Sequence, residues 1–225
     1  MTARAKAEGP RPTEEGRRTV ERVRKAGIAL FKARGYNGTS VRALAMSAGL
    51  EAASLYHHFP SKQEILFEVF ERVMDDFLAG FEQALSAPGT HEDRLRSALR
   101  FHVLFHIERQ DEAFVSHSEL RSLTAANHRR ITAKRDRYEA MLRAFLADGV
   151  AVGAFAIPDV PLLTMAILTM CSGVSDWFTR RGRLSGPAVA DGYVDVAMRL
   201  VHASEHRGSG RAAAGRGPRA EARRR

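Results

Sequence analysis

Two histidines, His102 and His106, stand four residues apart in a segment whose apolar residues repeat at helical spacing. On a helix this spacing places both imidazoles on one face, where they can bind Zn²⁺ with His117 or Glu119 as a third ligand. Histidines at this spacing more often hydrogen-bond carbonyl groups or line a pocket, and we favour that interpretation. Because Cys171 is the one cysteine, the sequence offers no cysteine-based zinc cluster and no internal disulfide. We therefore predict neither a metal nor another cofactor.

Sequence signatures of catalysis are missing. The chain contains no Gly-x-Ser-x-Gly nucleophile elbow, no phosphate-binding glycine loop and no His-Glu-x-x-His metalloprotease motif. No nucleophile and neighbouring base can be paired from the sequence. A helical ligand-binding enzyme is therefore the less favoured alternative to a binding protein.

A second group of residues has the spacing of a helix-turn-helix. Ala45 supplies the small side chain where two short helices cross, and Gly49 follows as a turn residue that tolerates positive φ. Leu55 then anchors the next helix from its apolar side. Thr39 or Ser40 is expected to cap the first of the two short helices, because both side chains carry a hydroxyl acceptor.

The second short helix, Glu51 to His58, is the one expected to lie in the major groove of DNA with its first residues at the base edges. The predicted base contacts are Arg42, Ala52, Ala53, Ser54 and His57. Neighbouring hydroxyl, imidazole and ammonium groups are expected to hold phosphates and to fix the register of the protein on the duplex. These phosphate contacts are Thr39, Ser40, Tyr56, His58 and Lys62.

The strings GTSVRALA at 38–45, AGL at 48–50 and SLYHHFPSKQE at 54–64 closely resemble the DNA-binding domain of the tetracycline-repressor (TetR) family. The resemblance covers about residues 19–66. It implies a three-helix DNA-binding domain, an all-helical ligand domain, a homodimer built on the last two long helices, and phosphate contacts for Tyr56 and Lys62. Such a dimer would hold its two reading helices about 34 to 36 Å apart on a near-palindromic operator.

Farther along the chain, RDRYE at 135–139, Trp177 and GRLS at 182–185 resemble one C-terminal subtype of the same family. That subtype includes regulators of lipid and steroid-ring degradation that respond to coenzyme A thioesters. The resemblance implies an acyl group in an apolar tunnel and nucleotide phosphates on arginines at its mouth. The predicted ligand-binding residues are Phe101, His102, Phe105, His106, Arg130, Arg137, Met141, Phe145, Met170, Trp177 and Arg180. An ordinary packed core and solvated arginines are the alternatives.

Helices must position all of these residues, because apolar residues recur at helical spacing almost throughout and strand signals are missing. We predict an all-α fold with an N-terminal three-helix helix-turn-helix domain and a helical-bundle ligand-binding and dimerisation domain. The expected parts are a flexible basic arm at 1–18, the DNA-binding domain at 19–66, the ligand-binding and dimerisation domain at 67–205, and a disordered basic tail at 206–225. The fourth helix is expected to open with a capping box of Ser61 and Glu64.

The helices of the second domain are predicted from their punctuation. They are expected at about 94–107, 113–124, 128–147, 160–179 and 186–204, with Gly149, Gly153 and Gly182 at helix ends. The last two are the predicted dimer surface. The final helix carries a broad apolar stripe of Val189, Tyr193, Val196, Ala197, Leu200 and Val201.

The net charge of +9 is concentrated at the two ends of the chain. Between Arg207 and Arg225 there are seven arginines and one acidic residue. Such ends add non-specific, salt-sensitive affinity for nucleic acid, so a non-specific nucleic-acid binder is the main alternative function. The polar N-terminus and the interrupted apolar runs predict a cytoplasmic protein without a membrane span.

These patterns together predict a ligand-responsive transcriptional regulator, with repression favoured over activation. It would bind double-stranded operator DNA as a homodimer and leave it when a small apolar effector, such as an acyl-CoA thioester, binds the helical domain. The fourth helix, which joins the two parts, is expected to carry the motion.

Overall fold

The computed structural model describes residues 13–202, and every regular element in that range is a helix. In chain order these are α1 (Glu14–Arg34), α2 (Val41–Ser47), α3 (Ala52–His58), α4 (Lys62–Leu85), α5 (His91–Glu108), α6 (Gln110–Ser118), α7 (Ala125–Ala151), α8 (Val160–Ser172), α9 (Val174–Trp177) and α10 (Gly186–Val201), with a 3₁₀ turn at Leu120–Ser122. The all-α prediction is confirmed. The predicted tail at 206–225 and most of the predicted arm at 1–18 lie outside the described residues.

Two hydrophobic cores organise these helices. The first lies among α1, α2, α3 and the first half of α4, and it includes Val115 of α6 and Ile131 of α7. The second lies among α4, α5, α7, α8 and α10. Because α4 runs through both cores without a break, the boundary predicted between residues 66 and 67 falls inside a helix instead of in a linker.

Short polar side chains begin most of the helices by accepting a hydrogen bond from the backbone amide three residues later. They are Thr13, Ser40, Ser61, Thr90, Thr124, Asp159 and Ser185. The capping box predicted at Ser61 is half formed: its Oγ accepts from the Glu64 amide at 3.2 Å, and the reciprocal bond is not made. A complete box instead joins Thr90 and Asp93 at the start of α5.

Gly149 does not end a helix, contrary to the prediction. It lies inside α7, and the ring of Phe155 packs so closely on it that a Cβ atom would come within 2.2 Å of that ring. The helix continues to Ala151, and Gly153 follows with a φ of 77°. A glycine at position 149 therefore serves helix packing, and only Gly153 supplies the left-handed backbone of a helix end.

The helix predicted at 160–179 consists of α8 and α9, which are separated at Gly173. Gln110 on α6 ends α9, because its Nε2 donates to the carbonyl groups of Ser175 and Phe178 at 3.2 and 2.8 Å. The segment Val160–Trp177 is long and apolar enough to cross a membrane, with a mean hydropathy of 1.3, and 28% of it is buried. The remaining residues of this segment are half-buried or exposed in the described chain.

Candidate DNA-binding surface and ligand cavity

The helix-turn-helix has the geometry that its spacing predicts. Ala45 is 2% exposed where α2 crosses its neighbours, and Leu55 of α3 is fully buried. Gly49 has a φ of 67°, in the left-handed region where a side chain would be strained. These three residues fix α3 against α2, and they leave the opposite side of α3 facing outward.

The outward side of α3 carries most of the predicted base contacts. Ala52, Ala53 and His57 are exposed, and Ser54 is half-buried. Arg42 on α2 is also exposed, and no carboxylate of residues 13–202 lies within ion-pair distance of it. Tyr56 and His58 are exposed on the same short helix, with 52% of Tyr56 accessible.

Two of the predicted phosphate contacts have internal partners. Thr39 is 1% exposed, and its hydroxyl donates to the carbonyl groups of Gly35 and Leu30 at 2.8 and 3.2 Å. We therefore correct the interpretation of Thr39, because its side chain fixes the turn after α1 and cannot reach solvent. The Lys62 ammonium donates to the Tyr36 and Thr39 carbonyls, both at 2.8 Å, and lies 4.1 Å from the Tyr36 ring centre.

Ser40 caps a helix and also has a hydroxyl proton available for a phosphate. It is exposed, and its Oγ accepts from the Ala43 amide at 3.1 Å as the N-cap of α2. The hydroxyl proton stays free to donate to a phosphate oxygen, because a capping hydroxyl uses only its lone pair.

A cavity of about 310 Å³ lies behind the DNA-binding helices, among α4, α5, α6, α7 and α8. Its walls are Val73, Met74, Phe77, Phe105, His106, Arg109, Ala113, Ser116, His117, Arg135, Asp136, Tyr138, Glu139, Met165, Leu168, Thr169 and Ser172. This volume is at the lower end of the roughly 300–1,000 Å³ typical of small-molecule sites. Apolar surface predominates, and the polar groups come chiefly from α6 and α7.

Of the predicted ligand-binding residues, Phe105 and His106 lie in the cavity wall. His102 is fully buried behind that wall, with its ring 5.0 Å from the ring of Phe77. The other apolar members pack within the second core and do not reach the cavity; they are Phe101, Met141, Phe145 and Met170.

The predicted phosphate-binding arginines and Trp177 also lie outside the cavity wall. Arg130 pairs with Glu71 at 2.9 Å, and Arg137 approaches Glu82 at 3.4 Å, both on the outer side of α4. Trp177 stacks on Tyr193 and donates from Nε1 to its hydroxyl at 3.1 Å. Arg180 is exposed in the segment after α9.

The two histidines on α5 are held in their neutral form by burial. His106 donates from Nδ1 to the His102 carbonyl at 3.0 Å, and His102 Nε2 lies 3.2 Å from the Ser172 hydroxyl. Burial lowers the pKa of His106 to about 4, and burial together with the neighbouring His106 holds the pKa of His102 well below its usual value. No group of three or more potential metal ligands occurs within residues 13–202.

Sequence reasoning missed most of the polar wall, Arg135 above all. Ile131, Arg135, Tyr138 and Leu142 follow one another at helical spacing on α7, and both Ile131 and Leu142 are fully buried. A charged residue in a core-facing register was the available signal. Arg130 and Arg137, the arginines of α7 that were predicted as ligand contacts, lie on the opposite, solvated side of the same helix.

Helix α6 is shared by the cavity and the DNA-binding domain. Ala113 and Ser116 line the cavity, while Val115 is fully buried in the first core. At the start of the same helix, Glu112 lies 3.7 Å from Arg24 of α1, and a neighbouring ion pair joins α6 to α1 once more. A displacement of α6 by a ligand is therefore transmitted to α1 through these contacts.

Two family models match the chain. Residues 23–69 match the model for bacterial regulatory proteins of the tetR family, and residues 88–201 match the tetracyclin repressor-like C-terminal domain. The HTH-type transcriptional repressor KstR2 of Mycolicibacterium smegmatis is 27% identical over 192 residues, which span 83% of this chain and 92% of that protein.

Solved structures agree with the family models. PfmR, a TetR family transcriptional regulator from Thermus thermophilus, is 35% identical with a TM-score of 0.73, over 79% of this chain and 97% of PfmR. AibR in complex with isovaleryl coenzyme A and operator DNA is 25% identical with a TM-score of 0.72, over 79% of this chain and 97% of AibR.

Proposed function

Because the chain belongs to the TetR family of bacterial regulatory proteins, we propose that it is a repressor that binds its operator as a homodimer and leaves it when an acyl-CoA thioester occupies the cavity. Family membership makes it a DNA-binding transcriptional regulator with a ligand-binding C-terminal domain, and not an enzyme. The observation that carries the proposal is α6, which lines the cavity on one side and packs into the DNA-binding core on the other.

The operator contacts are assigned to the exposed side of α2 and α3, within the DNA-binding domain at 19–66. Base edges meet Arg42, Ala52, Ala53, Ser54 and His57. Phosphates meet Ser40, Tyr56, His58 and the third N–H of Lys62, whose other two N–H groups are used by carbonyl oxygens. The short side chains on α3 let its backbone approach the bases closely.

The effector is assigned from the size of the cavity and from a relative. AibR binds isovaleryl coenzyme A, and here a volume of about 310 Å³ suits an acyl group but leaves the nucleotide outside. Asp176 acts electrostatically on both His106 and His117, which indicates that the segment around α9 lies beside the cavity. The nucleotide would rest on Trp177 and Arg180 of that segment.

We assign a second copy of the chain as the partner that covers the exposed apolar side chains of α8 and α10 in the 67–205 domain. Leu162 and Met165 on α8 are 67% and 50% exposed, and Val196 and Leu200 on α10 are 47% and 39% exposed. The predicted stripe is divided by the fold, because Val189, Ala197 and Val201 are buried inside the protomer. Such a dimer would bury the remaining apolar residues of both helices, and the proposed protein is a soluble, cytoplasmic dimer with no membrane contact.

The mechanism is a population shift between two spacings of the reading helices. The first turn of α4 holds the turn before α2 through Lys62, and Phe77 of the same helix lies in the cavity wall about 22 Å away along the axis. A ligand that moves α4 and α6 changes the spacing of the two copies of α3. The two copies of α3 then cannot enter successive major grooves, which lie about 34 to 36 Å apart, at the same time.

Operator binding by the full-length protein tests this function. The purified protein is titrated with its own upstream DNA at near-physiological salt with competitor DNA, with and without a panel of acyl-CoA thioesters. Specific binding that one thioester releases supports the proposal, and specific binding that none alters removes the thioester from it. Deleting residues 207–225 must leave sequence preference intact; a loss of nearly all binding would favour the non-specific alternative.

A further inference from the structure

One cationic side chain in the cavity lacks a carboxylate partner. The Arg135 guanidinium donates to the Ser116 carbonyl at 3.0 Å, and no carboxylate of residues 13–202 lies within ion-pair distance of it. The other arginine of the wall, Arg109, is paired with Asp76 at 2.7 Å. Burial lowers the pKa of Arg135, in the direction expected when a charge is desolvated without compensation.

Its surroundings add a second unused group. Ser116 is 8% exposed, and its Oγ is buried in the cavity wall without a hydrogen-bond partner. A buried hydroxyl is seldom left without a hydrogen-bond partner, and burying a guanidinium without a counter-ion costs still more free energy. The guanidinium of Arg135 thus contacts the backbone of the same residue that carries this unpaired hydroxyl, and both residues line the cavity.

The other charged groups of the wall do not supply a counter-ion. Two carboxylates of the wall, Asp136 and Glu139, lie on the same helix as Arg135, but neither is within ion-pair distance of it; Asp136 is exposed, and Glu139 approaches Arg143 at 3.4 Å. His106 is neutral, and desolvation together with the charge of Arg135 lowers the pKa of His117. Arg135 is therefore the arginine of the wall that remains available to an anionic group of a ligand.

We propose that the effector carries a carboxylate on the part that enters the cavity, and that Arg135 and the Ser116 hydroxyl bind it. The inference rests on the proposed function, since it requires an effector in this cavity. For a coenzyme A thioester it specifies an acyl group that ends in a second carboxylate. A planar guanidinium suits this partner because two of its N–H groups can donate to the two carboxylate oxygens.

Binding of two thioesters of equal chain length, adipoyl-CoA and hexanoyl-CoA, tests the proposal by calorimetry on the full-length protein. They differ in the terminal carboxylate alone. We expect adipoyl-CoA to bind about tenfold more tightly, as a charge-assisted hydrogen-bonded pair requires. Arg135→Gln abolishes this preference, Arg135→Lys retains part of it, and the matched control Arg137→Gln, on the solvated side of α7, keeps it in full.

Each other outcome has a distinct meaning. Equal affinity for the two thioesters with release of the operator overturns the carboxylate proposal and leaves the proposed function standing. If neither thioester binds, but hexanoate binds more tightly than hexanamide and Arg135→Gln removes the difference, the carboxylate site is supported and the thioester is not. If none of the four probes binds, both the carboxylate site and the thioester effector of the proposed function are overturned.

A measurement without ligand gives an independent check. Arg135→Met keeps an unbranched apolar stem like that of arginine and removes the uncompensated charge, so the melting temperature of this variant without ligand should equal or exceed that of the unaltered protein. A clear fall in melting temperature would show that the guanidinium serves the fold, and this would overturn the proposal.

Discussion

Gln63 in the first turn of α4 and Thr124 at the start of α7 are joined by a hydrogen bond of 3.0 Å from the Thr124 amide to Gln63 Oε1. Gln63 also donates from Nε2 to the Ser122 carbonyl at 2.6 Å. One side chain thus ties the beginning of α4, next to the DNA-binding residues, to the helix that carries Arg135 and Tyr138 of the cavity wall.

Gln63→Ala should weaken this connection. Losing both hydrogen bonds is expected to lower the free energy of unfolding by about 1–2 kcal/mol and to weaken operator binding severalfold, because α4 is less firmly oriented. Urea unfolding and operator titration measure the two effects. Gln83→Ala, an exposed position on the same helix, is the matched control. Identical behaviour of the two variants would show that the connection has no role.

Arg42→Ala should reduce the specific part of operator binding, because Arg42 is assigned to a base edge. We expect affinity for the operator to fall by about 1–3 kcal/mol and affinity for unrelated DNA to change much less, as measured by fluorescence anisotropy. Arg96→Ala, a similarly exposed arginine on α5, controls for net charge. Thr39→Val separates binding from folding, because it should lower stability by about 1–2 kcal/mol and leave the preference for the operator unchanged. Equal losses of affinity for the operator and for unrelated DNA in Arg42→Ala would remove this residue from the base edges.

Introducing charges on the proposed dimer surface should convert the protein to a monomer. Val196→Glu combined with Leu200→Glu places carboxylates on the exposed side of α10, and burying them against a partner would cost several kcal/mol, about the scale of a stable association. Sedimentation should show half the mass of the unaltered protein, with retained helicity. Asp191→Ala on the same helix, whose side chain pairs with Arg100 of α5, should stay dimeric. An unchanged mass for the charged variant would place the dimer elsewhere.

Stability should fall as the pH is lowered, because two neutral imidazoles are buried. An unfolded histidine binds a proton near its ordinary pKa of 6.5, whereas burial lowers the pKa of His106 to about 4, so between these values the unfolded chain binds more protons. The contribution of His106 is complete above pH 6.5 and is lost as pH falls toward 4, at about 1.4 kcal/mol per pH unit.

His106→Leu isolates this effect. Between about pH 7.5 and about pH 5 the variant should lose about 2 kcal/mol less unfolding free energy than the unaltered protein, as measured by urea unfolding. Val103→Ala on the same helix should lower stability by the same amount at both pH values, since it removes packing and no titrating group. Equal pH dependence in His106→Leu and the unaltered protein would contradict the assignment of a neutral, buried imidazole.

Local sequence determined the helix-turn-helix almost completely. Ala45, Gly49 and Leu55 lie within a short stretch of chain, and their identity and spacing are enough to indicate how α2 packs on α3. The bounds of α1 and the onset of α8 likewise follow from N-cap residues and from Gly35 and Pro161, because caps act through backbone groups a few residues away.

The cavity was decided by tertiary structure. The side of α7 that faces inward depends on how α4 and α8 pack on it, so Arg135 lines the cavity while Arg130 and Arg137 meet carboxylates of α4. Thr39 shows the same limit within the DNA-binding domain, because the carbonyl groups that engage its hydroxyl belong to α1 and to the turn that follows it. Sequence spacing specifies which residues share a helix face, but only the packing of distant helices specifies what that face meets.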